Sequence, residues 1–201
     1  MASAIIHMCV AKEINKKLKR ETKDYYLGSI APDTNKILGQ TKAKAHFYNE
    51  IELVDLDMFK NKYPDFYNND FDLGYYIHLY TDLLWNEIVF SKIIFKNEFL
   101  FLDGNLRKME KQNFSSILYD DYTSLNSLLL DEYGLDLSLF YDDFFTPNTK
   151  IDEIPIKEMP LFLKEMGMYV KNSKLTEFKV LDLEMVKKFI KLSVSEIASK
   201  L

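Results

Sequence analysis

The sequence predicts an all-α protein, a single multi-helix domain over residues 1–201. Three observations carry this. Apolar residues recur at helical spacing over long segments. Two-residue alternation bounded by hairpin turns is missing. Hydrophobic residues make up 47% of the chain and aromatic ones 14%, which supplies one core for 201 residues. That apolar load excludes a globally disordered chain. The single cysteine, Cys9, excludes a disulfide scaffold.

The first helix is expected over 3–20, capped by Ser3, with Ile6, Val10, Ile14 and Leu18 recurring at fours. Its segment AIIHMCVA reads as a buried helix face and not as a signal peptide, since no basic stretch precedes it. Gly28, Pro32 and Asn35 mark 27–36 as a loop. A short helical piece is expected at 42–48, and another at 55–62 between a capping Asp55 and Pro64. After the turn-rich FYNNDFD, a long helix over about 71–97 is apolar all round, as a central helix would be. FLDGN breaks it. A helix over 107–132 then ends before Gly134, and LDLSLFYDDFF is a further short one. Residues 146–155 read as a linker, and the last helices as 157–169 and 180–200.

Charge is uneven. Residues 1–50 carry +4, residues 51–150 carry -10 and residues 151–201 carry +1, for a total of -5. Nucleic acid is not an expected partner of so acidic a chain. No apolar run reaches the ~18 residues of a transmembrane helix. A free Cys9 and no export signal place the expected setting in the cytoplasm.

Candidate chemistry starts from scarcity, because there are three histidines. His78 lies in the central helix with Asp82 four residues on, so both point from one face. Burying them in so apolar a helix is costly without a partner. A shared metal would satisfy both, with zinc, manganese or iron suited to a His/Asp set. HxxxD alone is a weak motif and is more often an ordinary core pair. Trp85, on the same side, is expected to wall the pocket. Asp33 follows the rigid Pro32, and His46 follows KAKA. Cys9 reads as core, and Lys12 or Lys42 can attract an anionic ester.

The series His7, GSIAPD ending at Asp33, HF at His46, and LGYYIHLYTD ending at Asp82 resembles the bacterial zinc-dependent phospholipase C family, whose relatives include single-strand-specific nucleases. The resemblance covers residues 1 to about 90. It implies a helical fold and hydrolysis of a phosphoric ester by a metal-activated water. It also implies that Asp33, His46, His78 and Asp82 hold one zinc, with Asp82 bridging to a second ion bound by His7. Asp33 would also orient the water, as catalytic residue. The substrate would be a small phosphate ester, with a lipid-derived one as a variant.

The chain departs from that pattern. The secreted members use a processed N-terminal residue as ligand, a role left here to Met1 or Ala2. Ile88 stands where a further histidine is expected, and no histidine follows His78. The third family site is therefore absent or rebuilt from carboxylates, with Asp120 the first candidate and Asp121 and Glu87 the others. One or two ions are expected. Two other functions stay open. An HD-type phosphohydrolase is disfavoured because no adjacent His-Asp pair exists. A non-catalytic helical binding protein that keeps a structural metal is the other.

Overall fold

In the computed structural model, which describes residues 1–20, 22–37 and 42–201, one helix occupies the centre. Counted along the chain this is α6, Asp70–Trp85. Asn69 caps it by accepting from the Asp72 amide, and Asp70 and Asp72 in its first turn suit the positive end of the helix dipole. Residues 71–82 are all buried, as the all-round apolar pattern predicts.

The elements before α6 are helical pieces arranged around it. The first is α1, Ala4–Leu18, capped by the Ser3 hydroxyl and ended by Lys19 in the left-handed region. It is followed by α2 (Lys23–Gly28), a 3-10 turn (Ala31–Asp33) running into α3 (Thr34–Ile37), α4 (Lys42–Ala45) and α5 (Leu56–Lys62). Asp55 caps α5 as expected, accepting from the Asp57 and Met58 amides. The stretch expected to be loop at 27–36 is mostly helical. Pro32 sits in the first turn of the 3-10 piece, where its missing N–H costs nothing.

Two glycines set how closely α2 lies on α6. A Cβ on Gly28 would stand 2.1 Å from the Phe71 carbonyl oxygen. One on Gly74 would stand 2.1 Å from the Tyr25 carbonyl oxygen and 2.9 Å from the Ser29 nitrogen. Only glycine at both positions lets the two backbones touch.

The long helix expected over 71–97 ends early. After Trp85 the chain makes one π turn, Asn86–Phe90, and a short α7, Ser91–Ile93. It then forms an antiparallel three-stranded sheet, β1 (Ile94–Phe95), β2 (Glu98–Leu100) and β3 (Leu106–Lys108). The strands turn at Lys96, with φ 60°, and at Gly104, with φ +81°. Ile93, Ile94 and Phe95 favour extended backbone as much as a buried helix, so periodicity alone does not separate the two.

Next comes α8, Lys111–Tyr133, stopped by a left-handed Gly134, and then α9 (Ser138–Tyr141), α10 (Met159–Lys171) and α11 (Leu183–Lys200). The expected linker at 146–155 lies as a strap against the α3–α5 region. The Tyr63 hydroxyl donates to Glu153 Oε2 (2.6 Å), the Asn35 amide donates to the Glu153 carbonyl (3.3 Å), and Ile151 and Ile154 are buried. The described residues form a mostly helical fold around one core that includes α1 and α6. No helix among them is long and apolar enough to cross a membrane.

Candidate metal centre

Five of the six residues expected as ligands meet inside the N-terminal half. His78 and Asp82 project from one face of α6. His7 comes from α1, Asp33 from the end of the 3-10 turn, and His46 from the residue after α4. All are buried. His46 and His78 are 0% exposed and Asp33, the most open, is 9% exposed. His46 Nε2 and His78 Nε2 are 3.3 Å apart. Asp82 Oδ2 is 3.5 Å from the first and 3.6 Å from the second. Asp33 Oδ1 lies 3.8 Å from His46 Nε2, and His7 Nε2 lies 3.3 Å from Asp82 Oδ1. The His7 and His78 rings stack, with centroids 3.7 Å apart.

The backbone fixes the tautomers. His78 Nδ1 is 2.9 Å from the Ser29 carbonyl oxygen, and His46 Nδ1 is 3.1 Å from the Lys42 carbonyl oxygen. A carbonyl only accepts, so each Nδ1 carries the proton and donates it. The His78 bond depends on the Gly28–Gly74 contact, which brings Ser29 at the end of α2 onto α6. The His46 bond closes within one turn of α4, which the Tyr75 hydroxyl holds through the Ala45 carbonyl at 2.5 Å.

With Nδ1 protonated, a neutral imidazole has a bare lone pair at Nε2. Both rings are held neutral. Burial lowers His78 to about 3, with the neighbouring His7 adding to the effect, and burial also lowers His46. Two lone pairs therefore face one another at 3.3 Å, with the Asp82 carboxylate beside them. Burial opposes the ionisation of Asp82, but the His7 imidazole prevails and holds it well below the usual carboxyl range. Burial likewise opposes Asp33, and the Lys42 ammonium, 3.2 Å from Oδ1, holds that carboxyl ionised. Asp82 Oδ2 and both ring nitrogens of His7 are buried without a hydrogen-bond partner.

The Ala2 amide donates to Asp82 Oδ1 (3.0 Å) and Lys42 to Asp33, but no proton lies between the two Nε2 atoms and Asp82 Oδ2, whose electron pairs turn inward. The spacings fit a cation. Ligands at 2.0–2.2 Å from a tetrahedral ion stand about 3.3–3.6 Å from each other, and the His46–His78–Asp82 triangle measures 3.3, 3.5 and 3.6 Å. Among the described residues two sets of donors lie within 4.8 Å of one another: His46, His78 and Asp82, and His7, Asp33 and His78. His78 belongs to both, and its one available nitrogen is Nε2.

No protein-family model, curated protein or solved structure matches this chain. The centre is therefore read from its own geometry.

The sixth expected ligand is not brought in. Asp120 is exposed on α8 and belongs to neither donor set. Asp121, one residue on, is fully buried but already used. Its carboxylate accepts from the amides of Lys179 (3.0 Å), Val180 (2.7 Å) and Leu181 (2.9 Å), tying α8 to the segment before α11. Glu87 is exposed in the π turn. Trp85 does not wall the site. It is 0% exposed, with its ring 4.6 Å from that of Phe189. Lys12 donates to the Gly134 carbonyl, away from the cluster, and Cys9 is buried in the core with its thiol pushed up by burial.

A cavity of about 380 Å³ adjoins the cluster, with Asp33 and residues 1–4 on one side. Its other walls come from the C-terminal half, with Leu118, Tyr119 and Tyr122 on α8 and Phe162, Met166 and Tyr169 on α10. Sequence reasoning finds no functional signal there. A stripe such as Phe162, Met166, Tyr169 has helical spacing and reads as core. Only the tertiary arrangement turns it towards Asp33.

Proposed function

We propose that this chain is a divalent-metal-dependent hydrolase of a small phosphoric ester, with the ion held by His46, His78 and Asp82 and flanked by Asp33 and His7. The observation that carries the reading is the pair of Nε2 lone pairs 3.3 Å apart, each with its Nδ1 committed to a backbone carbonyl. A bound cation would supply Lewis acidity toward a water and toward a phosphoryl oxygen. The chain's own groups do the rest. The Ser29 and Lys42 carbonyls fix both imidazoles in the ligating tautomer. Asp33 is ionised, lines the cavity and can orient a water there by accepting its hydrogen bond. The aromatic and aliphatic walls enclose the organic part of the ester and keep bulk water from it. No serine or cysteine nucleophile is required. The resemblance to the zinc-dependent phospholipases C supports the same chemistry, and the five converging residues are the ones it names.

One observation favours a second reading. His46, His78 and Asp82 are 0–2% exposed and none of them lines the cavity, as suits a structural ion closed off from substrate. The test separates the two. Purified protein supplied with zinc or manganese is analysed for bound metal, then assayed on phosphate mono- and diesters with and without chelator. Chelator-sensitive hydrolysis supports the hydrolase. Bound metal without hydrolysis of any ester supports the structural ion. Absence of bound metal rejects both.

A further inference from the structure

Resting on the metal reading above, we infer that Lys42 is the second cation of this centre: an anion-binding residue whose ammonium, paired with Asp33, supplies the positive charge that a second metal would. Two observations lead there.

The first concerns donors. The two possible ligand sets overlap at His78, whose Nδ1 is spent on Ser29. One Nε2 cannot complete two three-ligand sets, so the cluster provides for one fully ligated ion. The second concerns charge. Besides its imidazoles, the cluster holds two carboxylates, Asp33 and Asp82. One divalent ion would balance the two carboxylates, so further attraction for a phosphate must come from cations beside them. Lys42 alters that balance. It is the one lysine or arginine that an ion pair joins to the cluster among the described residues.

Its placement is specific. The Lys42 side chain is one-fifth exposed, and its Nζ lies 3.2 Å from Asp33 Oδ1 and 3.1 Å from the Met1 sulfur. Asp33 lines the cavity, and the charge on Lys42 also acts on Tyr119, another wall residue. Asp33 and Met1, the two residues its Nζ contacts, both line the cavity, so the ammonium sits behind the cavity wall, across one carboxylate from the ligand cluster. Two-metal phosphoesterases use a second ion to offset phosphoryl charge. A fixed ammonium with three donors serves the same end. Backbone and side chain of this residue then have separate duties: the carbonyl orients His46 and the ammonium receives the anion.

The test compares the full-length chain with Lys42→Met, Lys42→Gln and Lys42→Arg. Zinc binding is measured by calorimetry with mass spectrometry for stoichiometry, and inorganic phosphate is then titrated into the zinc-loaded proteins. The wild type is expected to take one zinc per chain. Lys42→Met is expected to bind zinc as tightly or about tenfold more tightly, because a cation beside Asp33 is gone. Its phosphate affinity is expected to fall about tenfold or more, and Lys42→Arg to restore it to within about threefold. Lys42→Gln gives a second neutral side chain should Lys42→Met not fold. A purely structural lysine would instead weaken zinc binding when removed. Unchanged phosphate affinity in the neutral variants, or two zinc ions of equal affinity in the wild type, overturns the role of Lys42 and leaves the metal reading standing. Failure of the wild type to bind zinc overturns both.

Discussion

Replacing Gly74 with alanine tests how the fold builds the centre, because the residue touches no ligand. A glycine-to-alanine change inside a helix ordinarily stabilises by about 0.5–1 kcal/mol. Here the sign reverses. The added methyl would stand 2.1 Å from the Tyr25 carbonyl oxygen, and an ordinary contact is roughly 3.5 Å, so α2 and α6 must separate by more than ~1 Å. Overpacking of this kind costs about 1–3 kcal/mol, and more where backbone must move. For a chain of this size that lowers the melting temperature by roughly 2–12 °C. The same displacement stretches the 2.9 Å bond from His78 Nδ1 to the Ser29 carbonyl beyond hydrogen-bonding distance. Losing such a supporting bond typically weakens metal affinity about 10–100-fold. Differential scanning fluorimetry and a zinc competition titration read the two effects. Wild-type melting together with wild-type zinc affinity would refute the claim that the glycine contact sets the tautomer of His78.

Two further outcomes follow from buried groups. Asp121→Asn places an amide against three backbone N–H donors, at a cost of about 2–4 kcal/mol, yet leaves the number of bound metal ions unchanged. Chemical denaturation with metal analysis checks both halves, and a lost metal site would place Asp121 in the centre after all. Metal-free protein is expected to lose stability as the pH falls below the ordinary histidine value of 6.5. The unfolded chain takes up a proton that buried His78, held at about 3, refuses. The slope from this group is at most about 1.4 kcal/mol per pH unit. Asp33 and Asp82, held below the ordinary carboxyl value of 3.8, act in the same direction at lower pH, since their contribution is lost as they are protonated. Urea midpoints at pH 7.5 and 5.5 measure this, and equal midpoints would contradict it.

Features carried by local chemistry were legible in the sequence. Ser3, Asp55 and Gly134 announce helix ends, because a cap needs only its own turn. The His78–Asp82 spacing announces a shared face because helical periodicity fixes it. What depends on distant packing was not legible. Residues 94–100 form strands since Lys96 accepts a left-handed turn there, whereas their apolar run fits a continued helix equally well. Six residues of α2 are too few for a periodic signal, and nothing local marks Gly28 and Gly74 as a crossing point. Lys42 and Lys12 are equal candidates for attracting an anion until the neighbour of Lys42, Asp33, is known. Asp120 and Asp121 stand side by side in sequence, yet the helix turns one to solvent and the other onto three backbone amides.

The central claim is that imidazoles from α6 and from the end of α4 share a cation with Asp82. Anomalous-scattering maps from one crystal, recorded at the zinc and manganese absorption edges, test it most directly. The account predicts a peak enclosed by His46 Nε2, His78 Nε2 and Asp82 Oδ2. Clean maps at both edges, from protein grown with the metals present and with the two imidazoles bonded directly to each other, would contradict it.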